Sequence, residues 1–344
     1  MPESNCSYMV NTKIKIICVI IFLGLCWVFP LEKSIAGNDP KIRTFEFTYI
    51  TKISNIPKGA EKVSTWLPYP PSNEDQKITP LQIQVPFPIR FFKENNYGNS
   101  IIYLSVPNPN RRSIKVKVKF NGIRYEHIQR DSGQASMQAG NDINPGVKKW
   151  LQSDQPLPIN THIKERAAQI VKGKTTDLEK ARAIYDYVVT DFTYKKSGTG
   201  LEGGDVILMC DVKSGNCTDF HSVFIEFCRA VGIPAKFVIG FPLPEERGRH
   251  KINGYHCWAE FYLKGYGWIP VDASEANKNP AKKDYYFGSL DENRIQFTTG
   301  RNIVLQPPQV GTPLSYFIFP YGEADGKPLT AIRNLLIVKD TTQR

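Results

Sequence analysis

No Cys-x-x-Cys pair occurs in the 344 residues, although the chain has seven cysteines. The last four, Cys210, Cys217, Cys228 and Cys257, are separated by 7, 11 and 29 residues, which is not the paired spacing of a structural zinc site. No EF-hand-like loop is present, which removes that route to calcium. The glycine-rich stretch 195–214 lacks a following Gly-Lys-Ser or Gly-Lys-Thr, so it does not cradle a nucleotide phosphate. The formal net charge is +11, but it is spread along the chain. No basic run alternates with aromatic residues, which argues against nucleic-acid binding. Internal repeats and low-complexity tracts are absent, and no cofactor or metal site is expected.

Long apolar runs are also scarce. The one candidate, Ile16 to Leu31, has about 16 residues, short of the roughly 20 needed to span a bilayer. Lys13 and Lys15 precede it and Ser34-Ile35-Ala36 follows as a small-x-small cleavage site. Residues 1–36 therefore read as a signal peptide, with an uncleaved anchor as the alternative. Its removal takes Lys13, Lys15, Lys33, Glu3 and Glu32, a net +1, and leaves +10. The expected location is the periplasm or the outside, with no membrane span after cleavage. Four cysteines then remain, and a free Cys217 leaves at most one disulfide among the others.

Residues 37–140 read as an all-β, sandwich-like domain. Phe45, Phe47 and Tyr49 alternate with polar residues, and Ile114 to Phe120 alternates throughout. Asn121-Gly122 then predicts a hairpin turn into Ile123 to Ile128. The Lys115, Lys117 and Lys119 row reads as a solvated face. Residues 141–160 are polar and read as a linker. A core follows over 161–300, with a capping box at Thr176-Asp177-Leu178-Glu179 opening a helix. Residues 301–344 are expected to pack on that core as an extension.

The chemistry concentrates between Gly215 and Asp272. Phe220, Phe224, Phe227 and Val231 mark one face of a helix that stops at Gly232 and Pro234. Cys217 falls in its first turn, where free N–H groups and the helix dipole favour a thiolate. Tyr255 to Leu263 reads as a strand with His256, Trp258, Glu260 and Tyr262 on one face. Trp268 to Asp272 returns beside it. If Tyr262 pairs with Trp268 across a five-residue loop, Asp272 falls opposite Trp258 and shares a face with His256; a four-residue loop would turn it away. Cys217 as nucleophile, His256 as base and Asp272 as its partner fit acyl transfer. The Cys217 N–H is one oxyanion donor and Tyr194 a candidate for another. His221, one turn beyond Cys217, competes for the base role. His250 reads as a solvated loop residue. Asp272 also fits a simple capping role before Ala273-Ser274.

Gly-Asn-Cys-Thr-Asp-Phe-His at 215–221, Cys-Arg-Ala-Val-Gly-Ile-Pro at 228–234, Tyr-His-Cys-Trp-Ala-Glu at 255–260 and Gly-Trp-Ile-Pro-Val-Asp at 267–272 resemble the core of the transglutaminase-like superfamily. The resemblance covers roughly residues 160–290. It implies an α+β, papain-like core, in which the helix carrying Cys217 packs on an antiparallel sheet carrying His256 and Asp272. It also implies a Cys217–His256–Asp272 triad. The expected activity is thioester chemistry on a peptide or protein substrate, cell-envelope substrates included, with hydrolysis favoured. Protein-glutamine cross-linking and a non-catalytic envelope-binding role are the alternatives.

Overall fold

The computed structural model describes residues 39–129, 145–153, 159–196 and 206–341. The stretch 1–36 expected to be a signal peptide, residues 141–144 and 154–158 of the expected linker, and glycines 198, 200, 203 and 204 lie outside the described residues. No helix among the described residues is long and apolar enough to cross a membrane.

Two antiparallel sheets hold the N-terminal strands. In one, Ile42–Ile53 lies between Ile114–Tyr125 and Ile332–Asp340, with Arg249–Ile252 beyond the latter. Alternation decides which face is buried: Phe45, Phe47, Tyr49, Val116, Val118 and Phe120 turn inward. On the other face Lys119 pairs with Glu46 at 2.6 Å. In the second sheet Lys62–Pro68 lies between Tyr321–Ala324 and Ser100–Pro107. Inward residues of both sheets, such as Phe47 and Ile102, join one apolar cluster that runs on into the helical core.

Neither sheet is built from residues 37–140 alone. The chain's last strands return to both, and Arg249–Ile252 reaches from the core into the first. Residues 301–320 contact the core as well: Phe319 packs on Phe241 at 5.8 Å and Tyr316 on Tyr255 at 5.2 Å. The expected turn at Asn121-Gly122 is not made. Both residues lie inside the continuous strand Ile114–Tyr125, paired with Glu46 and Phe45. The Phe45 ring explains the glycine, because a Cβ at Gly122 would sit 2.5 Å from Phe45 Cζ. Burial of that ring outweighs the local turn preference.

The core sheet has the order Gly267–Val271, His256–Leu263, Ala235–Pro242, Arg294–Thr299, all antiparallel. A bulge at Ile239/Gly240 needs glycine, since a Cβ on Gly240 would lie 1.8 Å from the Ile295 carbonyl oxygen. Helices Thr161–Ile170, Asp177–Asp191 and Cys217–Ala230 pack against one another, with the last also on the sheet. The capping box at Thr176 and Glu179 is formed. The Cys217–Ala230 helix is buried from Cys217 to Arg229, not on one face only. Its charged residues survive burial by pairing: Arg229 holds Glu226 at 3.1 Å and donates to the Ala235 carbonyl.

Candidate active site

Gly215 and Asn216 set the nucleophile's position. Asn216 is an extended N-cap whose Oδ1 accepts from Thr218 N at 2.8 Å, while Asp219 Oδ2 accepts from Asn216 N at 2.8 Å. Gly215 makes room for this box, because a Cβ there would lie 2.3 Å from Asp219 Oδ2. The cap takes up the N–H groups of the following residues and leaves that of Cys217 at the positive end of the helix.

The strand pair adopts the longer-loop register. Tyr262 pairs with Trp268 and Ala259 with Val271, which brings Asp272 to the level of Trp258 and onto the side of His256. His256 Nε2 lies 2.6 Å from Asp272 Oδ2. The other ring nitrogen is left for the hydrogen bond between His256 and Cys217. Asp272 is fully buried and does two jobs. Its Oδ1 caps Ala273–Lys278 by accepting from Glu275 N and Ser274 Oγ, each at 3.0 Å, and its Oδ2 holds His256. The capping reading and the catalytic reading of Asp272 are therefore compatible.

Electrostatics favour a thiolate–imidazolium pair. Cys257, next to His256 in sequence, donates to the Cys217 sulfur. That hydrogen bond, with the His256 hydrogen bond and charge, holds the Cys217 thiol well below the usual range against the opposing effect of burial. Cys257 itself is pushed well above the usual range by burial and by Cys217, so it stays a donor. Burial works against a charged His256, but the Asp272 carboxylate and Cys217 outweigh it and raise its pKa to about 10. Asp272 is held well below the usual carboxylate range by His256 and Arg294, again against burial.

His221, the competitor for the base role, is placed against Asp272 and Cys257. Its Nε2 is 3.6 Å from Asp272 Oδ1 and its Nδ1 3.6 Å from Cys257 Sγ, and burial lowers its pKa to about 4. It is a neutral neighbour on the far side of Asp272. His250 is not in a loop: it lies half-buried in the strand Arg249–Ile252, opposite Val338. Tyr194 is half-buried, with its backbone N–H on Asn277 Oδ1 and its ring under Lys278. Burial and then the Cys217 charge push its hydroxyl up, so it stays protonated beside the thiolate.

Sequence reasoning missed Arg294 and Cys257. Arg294 follows a short acidic stretch, Asp291-Glu292-Asn293, and nothing local ties it to Asp272. Cys257 alternates onto the strand face opposite His256, where its position in the chain signals no role. A further pair, Tyr255 and Tyr316, links hydroxyl to hydroxyl at 3.3 Å and on to Thr218 Oγ1 at 3.4 Å, beside the nucleophile. Among the described residues His256, Asp272 and Glu275 bring three possible metal donors within 4.8 Å of one another. The Arg294 guanidinium on Asp272 Oδ2 opposes a second cation there. All four cysteines of the described residues are free thiols.

Residues 164–273 match the family model of the transglutaminase-like superfamily. An uncharacterized protein of Haemophilus influenzae is 27% identical over 92% of this chain and 95% of its own length. A protein-glutamine gamma-glutamyltransferase of Pseudomonas aeruginosa is 32% identical over 139 residues, 38% of this chain but 20% of that protein. In structure, a candidate cysteine protease from Cytophaga hutchinsonii superposes with a TM-score of 0.60 at 15% identity, over 88% of this chain and 92% of that one. That likeness concerns the fold. The likeness to the transglutaminase-like superfamily is thus carried by residues 164–273, the stretch that holds Cys217, His256 and Asp272.

Proposed function

We propose that the chain is an exported thiol acyl-transfer enzyme acting on peptide or amide bonds through Cys217, His256 and Asp272. The observation that carries this reading is the 2.6 Å contact of a buried Asp272 with the histidine that hydrogen-bonds a cysteine at a helix start. The Cys217 thiolate attacks the amide carbonyl, and the oxyanion forms against the Cys217 N–H, with Tyr194 as a second donor. His256, as imidazolium, protonates the departing amine, so the C–N bond breaks as the thioester is left on Cys217. Neutral His256 then takes a proton from the acceptor, which attacks the thioester and restores the thiolate–imidazolium pair. Asp272 stays ionised throughout and keeps the ring oriented.

Hydrolysis is the favoured outcome, giving a cysteine protease or amidase. The gamma-glutamyltransferase relative favours an amine acceptor as the second reading, over the 139 residues it shares. A peptide-amide library with and without a primary amine separates them, read by intact mass. The thioester is expected as an acyl adduct on Cys217. Release as the free acid supports hydrolysis and release as the secondary amide supports cross-linking. No adduct on Cys217 with any amide would contradict the acyl-transfer reading.

A further inference from the structure

Asp272 receives more than a triad needs. Its Oδ2 accepts from His256 Nε2 at 2.6 Å and from Arg294 Nη1 at 2.8 Å. Arg294 is 3% exposed, on the strand Arg294–Thr299 at the sheet edge beside Ala235–Pro242. Its Nη2 donates to Asp291 Oδ2 at 3.1 Å, and its plane lies 5.4 Å from the Trp258 ring, on the strand of His256. Tyr286 completes the enclosure: its hydroxyl donates to Asp291 Oδ2 at 3.1 Å, and its ring lies 6.0 Å from the guanidinium. The guanidinium is thus fixed by a carboxylate at one end and aromatic rings beside it.

Taking the triad reading as its basis, we propose that Arg294 is a positioning residue, clamped by Asp291 and Trp258, that fixes Asp272 Oδ2 toward His256 and supplies the positive charge that lets the thiolate–imidazolium pair persist in a buried site. The charge count supports it. Without Arg294, Asp272 and the Cys217 thiolate would face His256 as the one positive group among them, because Arg124, which also acts on Asp291, is engaged with Asp75 at 3.8 Å. The other groups around the pair do not replace it. His221 is neutral, and Cys257, Tyr194, Tyr255 and Tyr286 are held protonated with pKa values above their ordinary ones. Tyr185, whose pKa is likewise raised, stays protonated on the neighbouring helix. Glu275, 3.9 Å from His256 Nε2, adds a negative charge and is itself paired with Lys278. Bidentate geometry matters too, because a lysine ammonium cannot bridge two carboxylates in the plane of a fork.

The test is the pH profile of Cys217 alkylation by iodoacetamide, resolved by peptide mass spectrometry, in wild type, Arg294→Lys and Arg294→Met, with unfolding midpoints alongside. In Arg294→Met the inflexion is expected to rise by at least one pH unit. The rate at pH 6–7 falls tenfold or more, and the rates converge with wild type near pH 10. In Arg294→Lys, which keeps the charge and is the variant that folds most readily, the inflexion is expected to rise by at least half a unit. Profiles that superpose on wild type, with only the midpoint lowered, would make Arg294 a structural residue and overturn the proposal. A wild-type Cys217 with no inflexion below the ordinary thiol range would instead contradict the triad reading, whatever the variants do.

Discussion

Cys217→Ser should change how stability depends on pH, in a way that only a thiolate–imidazolium pair produces. The folded His256 pKa is about 10, raised from the ordinary 6.5. A raised group contributes stability fully below its unfolded pKa and loses it as pH climbs toward the folded value. The Cys217 pKa is lowered, so its contribution is present above the unfolded thiol value of about 8.5 and is lost as pH falls. Between about 6.5 and 8.5 the two cancel, since the unfolded chain holds one proton on cysteine and the folded chain one on histidine. Wild type should therefore show a plateau there, declining above about 8.5 and below about 6.5. Serine does not titrate, so in Cys217→Ser the plateau disappears and stability declines from about pH 6.5 upward. At 1.36 kcal/mol per pH unit for one proton, the loss relative to wild type reaches up to about 2.7 kcal/mol by pH 8.5. The figure is an upper bound, because the missing thiolate also lowers His256. Urea unfolding at half-unit pH steps measures it. A variant that keeps the wild-type plateau would refute the ion pair.

Other changes read single parts of the site. Asp272→Asn presents an N–H donor where His256 and Arg294 need an acceptor, and kcat/KM on any amide found to be turned over is expected to fall on the order of 10³-fold or more. A loss below tenfold would remove Asp272 from the triad. Asn216→Ala deletes the acceptor for Thr218 N and should cost about 1 kcal/mol in thermal or urea unfolding. Gly215→Ala puts a Cβ 2.3 Å from the Asp219 carboxylate, so it should break the capping box, destabilise the fold and slow Cys217 alkylation together. An alanine variant with wild-type stability would show that the box yields without cost.

Much of this site could be read from the chain alone, for local reasons. Helical spacing of Phe220, Phe224 and Phe227 and the Gly232 stop located the Cys217 helix, while the turn at Gly265 and Gly267 left two registers open, of which the chain takes the one that carries Asp272 to the side of His256. Period and turn chemistry act over a few residues, and so does their legibility. Asn121-Gly122 misled because a distant ring, Phe45, occupies the space over the glycine. The return of Ile332–Asp340 to Ile42–Ile53 joins residues nearly 300 apart, and no local pattern encodes it. Arg294 meets Asp272 only because a bulged strand pair, an acidic neighbour and an aromatic ring converge there, and His221 comes within 3.6 Å of Asp272 through the packing of helix on sheet.

The most direct test of the account is the pH dependence of alkylation at Cys217 against Cys210, in wild type and in His256→Ala. Thiolate reactivity of Cys217 well below the ordinary thiol range of about 8.5, lost in His256→Ala, is the predicted result. A Cys217 that reacts no faster than Cys210, or only above that range, would contradict an activated nucleophile.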